Sequence, residues 1–303
     1  MSVEPHIFTL TGNLLAERTL VFDTWTPGKT QRASVETFQV GGKGINVSKM
    51  LHRLGSASTA LCFTGGASGV ECAAWLAEKK FDYRAFATGP ATRQGTVVRG
   101  GGQPETTFLG PDAPPDAKAI RACAEFLSAQ PSGSVLAICG SLPGWESADY
   151  DVLRDVLHRW PERGPMVVDT YGPALRWLVD QGAAFVRVNR RELEFLFTPA
   201  EYNLSGGELL RLARDRHRAL RWAVSDGRAP VWFLADHHDP ESISSPRVQE
   251  VSATGSGDVM LACVLHGRFH RELSWRDAVV RALPYAAANA AHAGVAEFPD
   301  PVT

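Results

Sequence analysis

The sequence predicts a three-layer α/β fold with a mostly parallel sheet, flanking helices and a small, discontinuous β-sheet lid. Three observations predict it. Short apolar runs alternate with helix-length segments, two intervals break that rhythm with strand-like composition, and two glycine-rich loops each open a helix.

The apolar runs have the length and composition of buried strands. They are Ile7–Leu10, Ala60–Phe63, Val135–Cys139, Met166–Val168, Phe185–Val188 and Val231–Leu234. Such runs, separated by helical segments, are typical of β-α units around a parallel sheet. We therefore predict a Rossmann-like body made of residues 1-15, 41-92 and 110-303.

The two exceptional intervals, Glu17–Val40 and Arg93–Leu109, have turn residues between strand-like halves: Pro27-Gly28 in the first and Gly100-Gly101-Gly102 in the second. We predict two hairpins that form a lid of residues 16-40 and 93-109. Both begin where a body strand ends, and ligands of open α/β sheets bind at the carboxyl ends of strands. Because a small sheet exposes apolar edges and faces, we also expect two lids to pair in a homodimer.

Composition excludes several classes of function. The 303 residues carry 31 Lys+Arg against 33 Asp+Glu, a net charge of -2, so no global field attracts nucleic acid or an anionic membrane. The five cysteines form no C-x-x-C pair and lie mostly in apolar stretches, which favours reduced, buried thiols. No secretion signal and no run of ~20 apolar residues is evident, so we expect a cytoplasmic protein.

The first glycine-rich loop reads Gly41-Gly42-Lys43-Gly44-Ile45-Asn46 and opens a helix with apolar positions at helical spacing. Glycines allow close backbone approach to a ligand, and a helix N-terminus presents unpaired N–H groups to anions. Lys43 adds a mobile charge suited to a phosphate or a sugar oxygen. A simple turn with a solvated lysine is the alternative.

The second loop, Thr254-Gly255-Ser256-Gly257-Asp258, also enters a helix. Backbone N–H groups that converge there form an anion hole for the charge of a transferring phosphoryl group. Asp258 stands beside them, placed to accept the proton of an attacking hydroxyl. An acidic residue that only complements the helix dipole is the alternative.

A third element, Asn189-Arg190-Arg191-Glu192, follows the strand Phe185–Val188. Asn189 and Glu192 stand three apart at a helix start, where oxygen ligands can hold Mg²⁺, usually through water. The same spacing fits a capping box that serves the helix alone.

In this order, and with Gly-Ser-Leu-Pro at 140–143, the motifs resemble those of the ribokinase-like carbohydrate kinases, also called the PfkB family. The resemblance spans nearly the whole chain. The Gly-Lys-Gly-Ile-Asn-Val string and the Thr92-Arg93 pair are most similar to the branch that phosphorylates fructose 1-phosphate, fructose 6-phosphate or tagatose 6-phosphate. It implies a phosphotransferase that uses ATP and Mg²⁺.

The resemblance also implies roles for individual residues. Asp258 would be the base, with the backbone of Gly255, Ser256 and Gly257 as the anion hole. Lys43 and Arg93 would hold the phosphate already on the sugar, Gly42 and Asn46 would contact its hydroxyls, and Asn189 and Glu192 would organise magnesium. Ser225, Asp226, Gly227 and Asn289 would lie beside the nucleotide.

Two departures from the family pattern bear on this expectation. The family's usual sugar-binding Asp at the end of the first strand is Leu15 here, for which Asn13 or Glu17 could substitute, and an expected glycine of the nucleotide segment is Pro230. An unphosphorylated sugar or a nucleoside as acceptor, or a catalytically weak sensor of sugar phosphate or nucleotide, is therefore the alternative.

Overall fold

The structure is a computed structural model that describes residues 4–103, 105–235 and 238–300. Residues 1–3, 236–237 and 301–303 of the predicted body and residue 104 of the predicted lid lie outside the described part. The strands are β1 (Ile7–Thr11), β2 (Leu15–Phe22), β3 (Val35–Gly41), β4 (Ser58–Thr64), β5 (Tyr83–Ala87), β6 (Arg93–Gly100), β7 (Thr106–Leu109), β8 (Val135–Cys139), β9 (Met166–Asp169), β10 (Phe185–Asn189), β11 (Arg221–Ser225), β12 (Val231–Ala235) and β13 (Glu241–Ile243). The helices are α1 (Lys43–Arg53), α2 (Gly66–Glu78), α3 (Ala117–Ser128), α4 (Asp151–Arg159), α5 (Gly172–Leu178), α6 (Arg190–Leu193), α7 (Gly206–Arg216), α8 (Ser256–Phe269) and α9 (Trp275–Ala290).

The main sheet has the order β13-β12-β11-β10-β9-β8-β1-β4-β5. Pairing is parallel from β5 to β11 and antiparallel for β12 and β13. The predicted α/β class with a mostly parallel sheet is confirmed. Each apolar run predicted as a strand lies in this sheet, because runs buried on both faces suit its interior.

Strand register brings several chain segments to one edge of the sheet. Thr11 pairs with Cys139, and Cys139 pairs with Asp169. Further along, Asn189 pairs with Ser225. These residues end their strands, so the loops that follow converge at the carboxyl edge, where ligands bind in open α/β sheets.

Helices cover both faces of the sheet. One face packs against α3, α4, α5 and α7 around a core that includes Trp160 and Trp222. The other packs against α1, α8 and α9, with Phe185 and Val264 fully buried. Helix α8 is buried almost all round, which fixes its N-terminus firmly in the body. Among helices of the described residues, none combines the length and apolarity that a membrane span requires.

The small sheet has the order β3-β2-β6-β7. Its central strands β2 and β6 are parallel, while β3 and β7 pair antiparallel at the edges. Each hairpin thus contributes one central and one edge strand. The boundaries of the lid as a separate unit stay a prediction, since β2 begins at Leu15 and β3 ends at Gly41.

The five cysteines are all buried and free, in accord with the prediction from their apolar surroundings. Burial raises the pKa of the Cys62 and Cys72 thiols to about 12. These side chains are therefore neutral packing groups.

Candidate active site

A cleft of about 980 Å³ lies between the carboxyl edge of the main sheet and the small sheet. The small sheet contributes apolar and polar side chains, and the starts of α1 and α8 contribute backbone and charged groups. Residues of the predicted site that line it are Gly42, Lys43, Asn46, Asn189, Glu192, Ser225, Gly227, Gly255, Ser256, Gly257 and Asp258. The cleft thus brings together most of three distant motifs.

The loop before α8 requires its two glycines. Gly255 caps the helix at φ +75, a left-handed conformation that favours glycine, and a Cβ there would lie 2.6 Å from Val295. A Cβ at Gly257 would lie 2.1 Å from the Arg187 guanidinium. The N–H of Ser256 donates to the Ala253 carbonyl at 3.2 Å. Of the predicted anion-hole donors, the Ser256 N–H is therefore already engaged, whereas the N–H groups of Gly257 and Asp258 precede the intrahelical bond that Val259 donates to Gly255. The anion hole itself stays a prediction.

Asp258 lies at this helix start and is 5% exposed. Its Oδ2 accepts a hydrogen bond from the Asn46 amide at 2.7 Å. Burial and the negative charge of Asp169 raise the pKa of Asp258 to about 7, although Lys43, the Asn46 hydrogen bond and Arg187 act in the opposite direction. A carboxylate with this pKa changes protonation state near neutral pH, as a general base should.

An ion-pair network lies beneath the start of α8. The fully buried Asp169 accepts from Lys43 Nζ at 2.6 Å and from Arg187 Nη1 at 3.2 Å. Burial alone would raise the pKa of Asp169, but the two cations hold it below its usual range. Arg187 also donates to Ser225 Oγ at 3.0 Å, which ties the ends of β9, β10 and β11 together.

Lys43 was expected to hold the phosphate of the sugar, and in this structure it lies between two carboxylates. Its Nζ is 2.6 Å from both Asp169 Oδ1 and Glu192 Oε1. Burial lowers the pKa of Lys43, but these carboxylates outweigh that effect and hold it above its ordinary value. The ammonium therefore stays charged, and its role toward a sugar phosphate stays a prediction.

Asn189 and Glu192 form the capping box that was the alternative for this element. Asn189 Oδ1 accepts from the Glu192 N–H, and Glu192 Oε2 accepts from the Asn189 N–H, both at 2.9 Å. Both side chains also line the cleft, so the cap fixes their positions there. Among the described residues, no group of three or more His, Cys, Asp or Glu side chains is arranged to hold a metal.

Arg93 is not among the residues that line the cleft. Its Nη1 donates to Asp112 Oδ1 at 3.2 Å, and its side chain is 12% exposed. Asn13 donates to the same carboxylate at 2.8 Å and to Ser141 at 3.0 Å. Neither side chain lines the cleft in this structure.

Glu17, the other residue that could substitute for the missing Asp, does line the cleft. This residue follows Leu15 on the same face of β2, is 9% exposed, and lines the cleft beside Gly41. Its Oε1 accepts from the Gln39 amide, which lies directly opposite on β3. A Cβ built on Gly41 would lie 3.4 Å from Glu17 Oε2, so this carboxylate oxygen lies against the glycine-rich loop. Of the two substitutes considered for the missing Asp, the structure places Glu17 at the cleft.

Ser225 and Gly227 line the cleft, but Asp226 and Asn289 do not. Asn289 is fully buried, and its amide donates to the Thr254 carbonyl at 2.9 Å and to Ser256 Oγ at 3.1 Å. It braces the loop before α8. Pro230 precedes β12 at the end of a tight turn, where its missing N–H leaves the strand ladder intact.

Sequence reasoning missed Asp169 as a member of the site and gave Arg187 no role. A signal was present, because each is a charged residue in an otherwise apolar buried strand. Charges in such a strand are paired when buried, and their partners mark a polar site.

The sequence profile of the pfkB family carbohydrate kinases matches residues 14–302. The chain belongs to this family. The resemblance seen in the motifs is confirmed, and this protein is a carbohydrate kinase.

The chain is similar in sequence to two phosphofructokinases and in structure to a third. The ATP-dependent 6-phosphofructokinase isozyme 2 of Mycobacterium tuberculosis is 30% identical over 273 residues, covering 87% of this chain and 78% of the relative. The 1-phosphofructokinase of Bacillus subtilis is 28% identical over 267 residues, covering 86% and 85%. A solved structure of phosphofructokinase-2 from Escherichia coli superposes with a TM-score of 0.85 at 24% identity, covering 96% and 94%. The last comparison supports the fold.

Proposed function

We propose that this chain transfers the γ-phosphoryl group of ATP to a hydroxyl of a hexose phosphate such as fructose 1-phosphate, fructose 6-phosphate or tagatose 6-phosphate. The observation that carries the proposal is Asp258, a buried carboxylate with a pKa of about 7 at the start of α8 in a cleft. The names of the pfkB relatives, both phosphofructokinases, support a phosphosugar as acceptor.

Asp258 accepts the proton of the attacking sugar hydroxyl. The Asn46 amide orients its Oδ2, leaving Oδ1 for the substrate. The N–H groups of Gly257 and Asp258 stabilise the negative charge that spreads over the transferring phosphoryl group. The small sheet excludes water from the cleft and so limits hydrolysis of ATP.

The adenine is proposed to lie against the apolar wall of the cleft. This wall consists of Leu283, Ala286, Ala287 and Ala290 on α9. Small side chains there leave room for a flat ring. Ser225 and Gly227 border the same part of the cleft and offer polar contacts to the nucleotide.

We propose that magnesium binds beside Glu192 chiefly through water and nucleotide phosphates, because the two carboxylates there already pair with Lys43. Carboxylate oxygens of Asp169 and Glu192 converge on a single cation, the Lys43 ammonium, at 2.6 Å each. Oxygen donors of this kind suit Mg²⁺, which keeps much of its hydration shell and binds largely through nucleotide phosphates. When bound it neutralises phosphate charge, and Asn189 and Glu192 are the residues proposed to organise it.

An unphosphorylated sugar or a nucleoside is the second candidate acceptor. The observation that favours it is the pairing of both cations expected to hold a substrate phosphate: Lys43 with Asp169 and Glu192, and Arg93 with Asp112. A phosphosugar must draw at least one of these cations away from its partner. A neutral acceptor requires no such exchange.

A panel assay tests these alternatives. ADP release is measured with Mg²⁺ and ATP for fructose 1-phosphate, fructose 6-phosphate, tagatose 6-phosphate, free fructose and adenosine, with Asp258→Asn as the control. Turnover of one phosphosugar that is lost in the variant supports the proposal. Turnover of fructose or adenosine alone would support the second candidate acceptor instead. Release no faster than in the variant for every acceptor leaves a weak sensor of the same fold as the better reading.

We also propose a homodimer through the small sheet. Val35, Phe108 and Leu109 on its edge strands are 50%, 58% and 54% exposed. Apolar side chains at sheet edges favour association. Light scattering at micromolar concentration should give twice the mass of the 32.8 kDa chain, and a mass of one chain would contradict the proposal.

A further inference from the structure

Glu105 joins the small sheet to the loop that precedes the anion hole. It lies directly before β7, and its side chain is 16% exposed. Its Oε1 accepts from Ser252 Oγ at 3.0 Å and from Thr254 Oγ1 at 3.1 Å. These contacts span nearly 150 positions of sequence and cross from the lid sheet to the body.

A second residue of the small sheet strengthens this junction. Arg99 on β6 donates from Nε to Glu105 Oε2 at 2.5 Å and from Nη2 to the Ala293 carbonyl. Glu105 is thereby held between the body loop and its own sheet. Arg99 and Glu105 together contact one body loop before α8 and another after α9.

Thr254 is the point at which this junction reaches the catalytic loop. Its carbonyl accepts from the Asn289 amide at 2.9 Å, and its N–H donates to Ser252 Oγ at 3.3 Å. The body thus holds the backbone of Thr254, while Glu105 holds its hydroxyl. Gly255, the helix cap, is the next residue, so a displacement of Thr254 moves the first turn of α8.

We infer that Glu105 is a positioning residue: when the small sheet rests on the body, its carboxylate fixes Ser252 and Thr254 and thereby brings the anion hole to its catalytic geometry. The inference rests on the proposed kinase function. Glu105 touches neither the substrate nor the reacting atoms. Its contact couples lid closure to assembly of the site, so that phosphoryl transfer is slow while the lid is open.

Two variants and one matched control test the inference. Glu105→Ala removes all three contacts, and Glu105→Gln keeps an oxygen acceptor for the two hydroxyls but loses the charge that pairs with Arg99. Glu36→Ala removes a carboxylate from β3 of the same sheet, where it pairs with Arg18 at an exposed position. The catalytic measurement is kcat and KM for ATP and for the acceptor found in the panel. The structural measurement is amide hydrogen exchange of residues 252–258.

For Glu105→Ala we expect kcat to fall roughly tenfold to a hundredfold, the size of a lost charged hydrogen bond that acts mainly in the transition state. KM for ATP should change less than threefold on the same reasoning. Exchange of residues 252–258 should be faster than in wild type. Glu105→Gln should recover part of kcat, and Glu36→Ala should resemble wild type in every readout.

A double-mutant cycle shows whether the effect passes through Thr254. Thr254→Val removes the hydroxyl at nearly constant volume. If Glu105 acts through that hydroxyl, the combination Glu105→Ala with Thr254→Val should lose little more kcat than the worse single variant. Independent, multiplying losses would contradict the inference.

Two further outcomes would overturn it. One is an unchanged kcat in Glu105→Ala while wild type turns over; the other is unchanged exchange of residues 252–258 in Glu105→Ala. Absence of turnover in wild type would count against the proposed function instead, and the exchange measurement would still decide the inference.

Discussion

Replacement of Asp258 by Asn should slow catalysis severely and should stabilise the fold most at pH values above about 7. The ionised carboxylate is buried at 5% exposure, near the negative charge of Asp169, and both conditions disfavour its charge. The amide has no charge to bury. Its oxygen can still accept the hydrogen bond that Asn46 donates to the carboxylate at 2.7 Å.

The shift in the pKa of Asp258 sets the size of the stabilisation expected in Asp258→Asn. Between the ordinary value of 3.8 and about 7 in the fold, the difference corresponds to roughly 4 kcal/mol at most. A group whose pKa is raised by folding contributes its stability below the unfolded pKa and loses it as pH rises through the folded pKa. The gain in Asp258→Asn should therefore be near zero at about pH 4, grow up to about pH 7, and stay constant above.

Thermal unfolding and turnover are the paired assays. With about 2.1 cal/mol/K of unfolding entropy per residue, 4 kcal/mol in a chain of this length raises Tm by at most roughly 6 °C. Loss of the base should lower kcat by roughly 10² to 10⁴. In wild type, kcat/KM should fall about tenfold for each pH unit below 7. A variant that is less stable than wild type at pH 8, or equally changed at pH 5 and pH 8, would refute the reasoning about burial, and one that keeps its turnover would refute the role as base.

Three further substitutions test the site. Glu17→Gln should raise KM for the acceptor about tenfold and leave KM for ATP unchanged, because Glu17 lines only the lid side of the cleft, with exposed Glu36→Gln as control; equal changes in both KM values would argue against an acceptor contact. Gly257→Ala should lower both kcat and Tm, because its methyl group would meet the Arg187 guanidinium at 2.1 Å, and a fully active, equally stable variant would show that this contact yields freely. Lys43→Met should move the acid limb of the kcat/KM profile to higher pH, because Lys43 lowers the pKa of Asp258. A limb that moves to lower pH would contradict this direction of the pKa shift.

Much of the fold could be predicted from local patterns. Runs such as Val135–Cys139 and Phe185–Val188 are apolar throughout because they are covered on both faces, and that property is visible without any partner. The loop that opens α8 could also be predicted, because the capping residue Gly255 and the acidic residue Asp258 lie within four positions of each other. Local chemistry of this kind survives in the folded chain unchanged.

The ion pairs of the site could not be predicted in the same way. Lys43 meets Asp169 and Glu192 across 126 and 149 positions of sequence, so its partners depend on strand order and register. A lysine in a glycine-rich loop is equally compatible with a free phosphate-binding cation. The contact of Arg187 with Gly257 likewise exists only because β10 ends beneath the start of α8.

The parallel pair at the centre of the small sheet has a consequence for how the chain folds. Strand β2 pairs with β6 from Leu15 with Arg93 to Phe22 with Gly100, and α1, β4, α2 and β5 all lie between them in sequence. Closing a loop of that length costs entropy that no local contact offsets, and contacts distant in sequence form slowly. We therefore expect the two hairpins to join after the intervening segment has docked, so that the sheet over the cleft forms late in folding and depends on the body for its stability.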